Sequence, residues 1–160
     1  MLGAALAAMP CGCSHIGREG PGLHTDQRLA VLKAIQTVKE KYAPDSRLAI
    51  FDVGVEHWGR QLVLTGEVDR AEAKIECVQA VQQPGAEVID RIRLLPDERL
   101  GDQVWGIASL SVVSARLQPE HKAEMGTQVL MGEVVRLWKR STNAAYAWYL
   151  AQAADGYLSW

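Results

Sequence analysis

Cysteine and histidine side chains can serve as nucleophiles, general bases and metal ligands, and this chain contains three cysteines and four histidines. A cysteine-peptidase site needs a reactive cysteine at the start of a helix and a histidine well downstream. No cysteine follows Cys77, so the chain offers no candidate pair. No two of its histidines have metal-ligand spacing, and no C-x-x-C motif accompanies them. We therefore predict that this chain is not itself an enzyme and has no metal or cofactor. The four histidines are His15, His24, His57 and His121.

The three cysteines fall into two groups. Cys77 lies in a predicted amphipathic helix, where we interpret it as a small buried apolar residue and not as a nucleophile. Cys11 and Cys13 lie in an N-terminal tail whose first ten residues are apolar and small, too short at about 15 Å to cross a bilayer as a helix. Such a stretch is typical of an export signal. Because Cys13 follows the small Gly12, we expect lipid attachment there, with membrane contact only through that anchor; the alternative is an apolar terminus without a role.

The composition limits the kind of protein. The chain has 160 residues, of which 48% are hydrophobic and 22% charged, and a net charge of −2, so charge offers no argument for nucleic-acid binding. There are five tryptophans and one phenylalanine, and four of those tryptophans follow residue 100. This shift predicts two small domains: a tail and linker at residues 1–24, a first domain at 25–97, a linker at 98–105, and a second domain at 106–160.

The first domain has the pattern helix, strand, strand, helix, strand. A helix starting at Thr25 or Asp26 places apolar residues on one face, which Leu32 widens, and Pro44 ends it. Strands are predicted at 48–55, 61–67 and 87–95. Asp69 to Glu72 has the spacing of a capping box and opens a second helix. The face of the first helix is Val31, Ile35, Val38 and Tyr42, and the face of the second is Ala71, Ile75, Val78 and Gln82 with Val81 adjacent.

That order makes the second and third strands parallel neighbours, with both helices on one face of a mixed sheet. It resembles the BON domain of bacterial envelope proteins over roughly residues 26–96. The resembling residues are the run Gly66-Glu67-Val68-Asp69 with Lys74, and the later run from Gly85 to Asp90.

The second domain has short strands and turns without a convincing helix. Strands are predicted at 107–116, 127–130, 133–139, 147–152 and 157–160, with tight turns at Met131-Gly132 and Asp155-Gly156. This pattern predicts a small β-barrel, so the fold class is α+β. We expect Trp148 and Trp160 to fill its core, with an exposed aromatic shelf as the alternative.

The motif T-Q-x-L-x-G-E at residues 127–133, the pair Trp148-Tyr149 and the ending D-G-Y-x-x-W at 155–160 together resemble the bacterial SH3-like domain. That domain stands at the front of NlpC-type cell-wall cysteine peptidases, ahead of the catalytic domain. The chain departs from the pattern in a longer segment between Lys139 and Trp148 and in Gly126, where an apolar residue is usual.

The resemblance implies a non-catalytic region that positions a murein endopeptidase on peptidoglycan and shapes access of the stem peptide. Its partners would be the stem peptide and the protein's own C-terminal catalytic domain, in the cell envelope or periplasm. By the same resemblance, Tyr157 and Glu124 would recognise the free amino end of the peptide, supported by Gln128, and Trp148 would belong to the same surface. The alternatives are a barrel-core aromatic for Tyr157 and a solvated turn residue for Glu124. The alternative function is a free-standing envelope lipoprotein that binds a protein or peptide.

Overall fold

The computed structural model describes residues 25–58, 61–82, 87–142 and 147–160. The expected lipid-attachment site at Cys13 and the tail around it lie outside these residues. The described chain is a mixed α+β structure with two α-helices and several β-sheets. No described helix has the combination of length and apolar character that a membrane span requires.

The first unit has the predicted element order. Helix α1 (Thr25–Tyr42) precedes strands β1 (Phe51–Trp58) and β2 (Gln61–Val68), and helix α2 (Ala71–Ala80) precedes strand β3 (Glu87–Leu94). The sheet order is β1-β2-β3, with β1 antiparallel and β3 parallel to β2. The β2-α2-β3 segment is therefore the parallel crossover that the sequence indicates.

Helix α1 buries the face that its periodicity predicts. Val31, Ile35 and Val38 are buried in the core with Tyr42 packed against it. Leu32 was expected to widen this face, and that prediction is wrong, because 47% of its surface is exposed. It lies one position past Val31 and is rotated about 100° from it, onto the flank of the helix.

Helix α2 buries a different face from the predicted one. Ala73, Cys77 and Val81 are buried at four-residue steps, whereas Ile75 is 56% exposed. Small side chains allow the helix to approach its neighbours closely, and this outweighs the larger hydrophobicity of Ile75. Of the remaining predicted positions, Ala71 and Gln82 are exposed and Val78 is half-buried.

The predicted capping box is also absent. Arg70 occupies the N-cap of α2 and makes no side-chain cap hydrogen bond. The carboxylate of Asp69 instead accepts a hydrogen bond from the backbone N–H of Ile50 at 3.0 Å, and the N–H of Asp69 donates to the Ile50 carbonyl at 3.1 Å. Asp69 therefore joins the end of β2 to the start of β1.

The described part of the second unit contains six short strands, and the predicted strand at 107–116 is divided into two. A four-stranded sheet has the order β4-β7-β8-β9, and β5 pairs with β6 in a separate sheet. Its described part has no α-helix, as predicted, and Gly132 and Gly156 have positive φ angles of 86° and 85° at the two expected tight turns. The strands are β4 (Trp105–Ile107), β5 (Val112–Arg116), β6 (Met125–Leu130), β7 (Val134–Arg140), β8 (Tyr149–Gln152) and β9 (Leu158–Ser159).

The two sheets of the second unit do not close into a barrel within the described residues. They are linked at one edge, where the backbone N–H of Arg116 donates to the carbonyl of Trp160 at 2.6 Å and the reverse bond measures 2.7 Å. This reciprocal pair aligns the end of β5 with the chain just after β9.

Backbone hydrogen bonds connect the two units. The N–H of Asp97 donates to the carbonyl of Trp138 at 2.8 Å, and the N–H of Leu158 donates to the carbonyl of Arg47 at 2.7 Å. The side-chain amide of Gln152 also donates to the carbonyl of Leu48 at 3.0 Å. The segment before β1 is thus held against the β8–β9 turn region.

Candidate functional site: an apolar cleft and an apolar end of the second unit

A cleft of about 420 Å³ opens between the two sheets of the second unit. Its walls come from both sheets, and the described residues that line it are aromatic, aliphatic or small, with no charged side chain among them. An uncharged, aromatic-lined concavity suits apolar groups of a ligand, with orientation set by a few polar atoms. Its aromatic members are Trp148, Tyr149 and Trp160, and its serines are Ser109, Ser114 and Ser159.

Trp148 and Trp160 do not form the core of this unit as expected, because both are only half-buried. The core tryptophan is Trp138 in β7, which is 5% exposed. The guanidinium of Arg136 lies 4.2 Å from the centre of its ring, in cation–π contact. Alternation along β7 does not indicate this burial, because Trp138 shares its side of the strand with the exposed Arg136 and lies at a register shift.

A group of large apolar side chains is exposed at one end of the unit, which we call the apolar end. Ile107 opposes Val134 across β4 and β7, and Val112 opposes Leu130 across β5 and β6. The turn between β6 and β7 is bonded to the segment after β4, since the N–H of Gly132 donates to the Ala108 carbonyl at 2.9 Å. The exposed fractions are Ile107 70%, Leu110 64%, Met131 60%, Leu130 53%, Val134 51% and Val112 48%.

The apolar end and the cleft are contiguous, because Ile107 and Leu110 also line the cleft. Large contiguous exposed apolar patches mark protein interaction sites or ligand-binding grooves. Sequence periodicity did not indicate this feature, since alternation alone does not say which face of an edge strand is covered.

Tyr157 is half-buried at the junction of the two units and not in the cleft. The guanidinium of Arg47 lies 5.5 Å from the centre of its ring. The backbone N–H of Tyr157 donates to one carboxylate oxygen of Asp155 at 2.9 Å. The other oxygen of Asp155 accepts a bond from the hydroxyl of Thr127 at 2.8 Å. Asp155 therefore brings together the T-Q and D-G-Y motifs that are far apart in sequence.

The other expected site residues lie elsewhere on the second unit. Glu124 is exposed just before β6, where its carbonyl accepts from the N–H of Leu117 at 2.9 Å. Gln128 is exposed in β6, opposite Ser114. Trp148 lines the cleft and contacts the ring of His121, with the ring centres 5.0 Å apart. Among these side chains, the described contacts do not join Glu124 or Gln128 to Tyr157.

The described residues include one cysteine thiol, that of Cys77. Burial raises the pKa of the Cys77 thiol to about 11, with a smaller contribution from the charge of Asp90. The side chain therefore stays protonated and buried, as interpreted from the sequence. Within the described ranges, no group of three or more His, Cys, Asp or Glu side chains is arranged to hold a metal ion.

Comparison with protein-family models, with curated proteins and with solved structures finds no match. What the geometry itself defines is a mixed α+β protein whose second unit has an apolar, aromatic-lined cleft beside an exposed apolar end.

Proposed function

We propose that this chain is a non-catalytic region of a murein peptide endopeptidase, consisting of a BON-like unit and an SH3-like unit. It directs the enzyme to peptidoglycan and shapes access of the stem peptide to a catalytic domain. The observation that carries this proposal is the apolar end of the second unit.

The apolar end has the character of a face that another folded domain covers. Six large aliphatic or thioether side chains are each about half or more exposed there. Moving such a side chain from full exposure to full burial is worth roughly 1.5–3 kcal/mol, so a half-exposed one leaves about half of that free energy unrealised. A catalytic domain that packed on this face would recover part of that free energy and would place its own cleft beside the aromatic cleft of the second unit.

The positions implied by the resemblance are compatible with peptide recognition but form no single cluster. Tyr157 keeps part of its surface accessible, and Glu124 is an exposed carboxylate that could accept an ammonium group. In the proposed enzyme, the catalytic domain holds the stem peptide within reach of Tyr157 and Glu124.

The first experiment is co-sedimentation of the purified chain with peptidoglycan sacculi. We expect the chain to sediment with the sacculi and to release no soluble stem-peptide fragments. Tyr157→Phe and Glu124→Gln should each weaken binding, whereas Glu120→Gln, an exposed carboxylate in the neighbouring loop, should not. Sedimentation no greater than that of an unrelated protein of equal charge would contradict the proposal.

A free-standing envelope lipoprotein that binds a protein or peptide is the second candidate, and the cleft favours it. The walls of the cleft come from the chain itself, so a ligand could bind there without a catalytic domain. The double variant Ile107→Ser/Met131→Ser separates the two. A docking face predicts loss of association with an NlpC-type catalytic domain supplied in trans and unchanged sedimentation with sacculi. A free-standing module predicts no association with that domain for either protein.

A further inference from the structure

Strand β1 is an edge of the three-stranded sheet, and a groove lies along its first three residues. Within the described residues β1 pairs only with β2, so alternate backbone N–H and C=O groups point away from the sheet. Two concavities of about 560 and 500 Å³ lie along this edge and share Lys39, Phe51 and Asp52 in their walls. The two concavities therefore adjoin, and together they are called the groove.

The groove has an apolar flank on α1 and an apolar end at the junction of the units. Leu29 and Leu32 are 66% and 47% exposed along the α1 side. At the other end the wall is formed by Leu117, Leu158 and Trp160 of the second unit. The exposure of Leu32, which the sequence pattern placed in the core, is explained by its position on this flank.

The two faces of β1 differ in charge. Phe51, Val53 and Val55 face the core on the helix side. Asp52 and Glu56 alternate with them, are exposed, and make no ion pair with described residues. They are separated by four residues, about 14 Å along an extended strand.

We propose that the β1 edge binds an extended segment of a protein partner in which apolar residues alternate with basic ones. The segment adds a strand to β1 through main-chain hydrogen bonds, a known mode of peptide recognition. Its apolar side chains face Leu29 and Leu32, and two basic side chains four residues apart lie beside Asp52 and Glu56.

Charge sets the orientation of the bound segment and disfavours a second copy of the chain as the occupant. Lys33 and Lys39 line the helix side of the groove, so basic residues of the segment belong on the opposite face. A second copy of the chain would place β1 against β1, and this strand carries Asp52 and Glu56 but no lysine or arginine. Antiparallel pairing centred on Gly54 would place Asp52 opposite Glu56 of the other copy, and like charges in that position are destabilising.

The test uses the full chain and a fluorescein-labelled peptide, acetyl-Val-Lys-Val-Gly-Val-Lys-Val-amide, with binding followed by anisotropy at low salt. A matched peptide has glutamate in place of both lysines. We expect the lysine peptide to bind and the glutamate peptide to bind at least several-fold more weakly. Amide hydrogen exchange should show increased protection in β1 when the lysine peptide is bound.

Variants assign the binding to this edge. Asp52→Asn/Glu56→Gln should weaken binding of the lysine peptide roughly two- to thirtyfold, the range expected for two cross-strand charge pairs. Glu72→Gln/Glu120→Gln removes two exposed carboxylates elsewhere and should leave binding unchanged. Leu32→Ser, at an exposed position, should also weaken it.

Three results would overturn the proposal. One is equal binding of the two peptides, and another is unchanged binding by the Asp52/Glu56 variant. The third is absence of peptide binding together with dimerisation of that variant in sedimentation, which would show that the two carboxylates only protect the edge from self-association.

Discussion

The ammonium group of Lys139 forms a salt bridge with the carboxylate of Glu67 across the junction of the two units, 72 positions apart in sequence. The Glu67 side chain is only 8% exposed, and its other oxygen accepts a bond from the guanidinium of Arg93. A buried carboxylate is tolerated because both oxygens are paired. The junction therefore depends on a cation from the second unit to complete a charge site of the first.

Removing the cation should destabilise the protein. For Lys139→Met we expect a loss of about 1–3 kcal/mol in the free energy of unfolding, because Glu67 is left buried with Arg93 alone. Urea denaturation measures this loss. Lys122→Met removes an exposed lysine of the second unit and should change stability by less than about 0.5 kcal/mol. The double variant Glu67→Gln/Lys139→Met should recover part of the loss, and equal effects of the two lysine variants would contradict this account.

Substitutions at Gly126 and Ser159 should have coupled effects on stability, because the two residues are in close contact. A Cβ atom at Gly126 would lie 2.3 Å from the hydroxyl oxygen of Ser159 and 3.0 Å from Leu117. Gly126→Ala should therefore cost about 1–3 kcal/mol. Ser159→Gly in that background removes the closest contact and should restore part of the stability. Thermal unfolding of the four proteins gives the coupling energy, and strictly additive effects would show that the two residues do not interfere.

The Ser159 hydroxyl offers a second test, because it is buried without a hydrogen-bond partner among the described residues. Ser159→Ala removes this hydroxyl and leaves an apolar methyl group, so the variant should be neutral or stabilised by up to about 1 kcal/mol. The measurement is the midpoint of urea unfolding, compared at an unchanged dependence of the unfolding free energy on urea concentration. A loss of more than about 1 kcal/mol would mean that the hydroxyl has a partner.

Cys77 should be unreactive in the folded protein. Burial raises its pKa to about 11, so the thiolate is scarce at neutral pH and access is blocked. In a Cys11→Ser/Cys13→Ser background, labelling by a disulfide reagent at pH 8 should be slow in buffer and fast in denaturing urea. Rapid labelling in buffer would contradict the buried position of the thiol.

Asp97 should contribute to acid sensitivity. The hydrogen bond from the Arg99 side chain lowers its pKa from 3.8 to about 2. Because the folded pKa is below the unfolded one, its stabilisation is present above the unfolded pKa and is lost as pH falls from about 5 towards 2. Asp97→Asn should be less stable than the parent by about 1–2 kcal/mol at pH 7, and the difference should shrink towards pH 2.

Urea denaturation between pH 2 and 7 tests this, with Asp102→Asn as the control for loss of one nearby exposed carboxylate. Asp45 shares the same window, since the hydrogen bond from Arg47 lowers its pKa to about 2, so the Asp97 variant should retain part of the acid sensitivity. A constant difference between parent and Asp97→Asn at all pH values would contradict the role of ionisation.

The helix-strand-strand-helix-strand order and the buried face of α1 could be predicted from sequence because they depend on local periodicity. Val31, Ile35 and Val38 recur at helical spacing, and that spacing determines a face wherever the helix packs. The tight turns at Gly132 and Gly156 were also predictable locally, because a positive φ angle favours glycine regardless of what surrounds it.

The face of α2, the core tryptophan and the junction were decided by tertiary structure. Cys77 is buried and Ile75 exposed because packing favours the closest approach and not the most hydrophobic residue. Trp138 is buried where β7 meets the first unit, at the position whose carbonyl accepts a bond from the N–H of Asp97. The pairing of Glu67 with Lys139 depends on how two units meet, and sequence patterns within either unit hold no record of that contact.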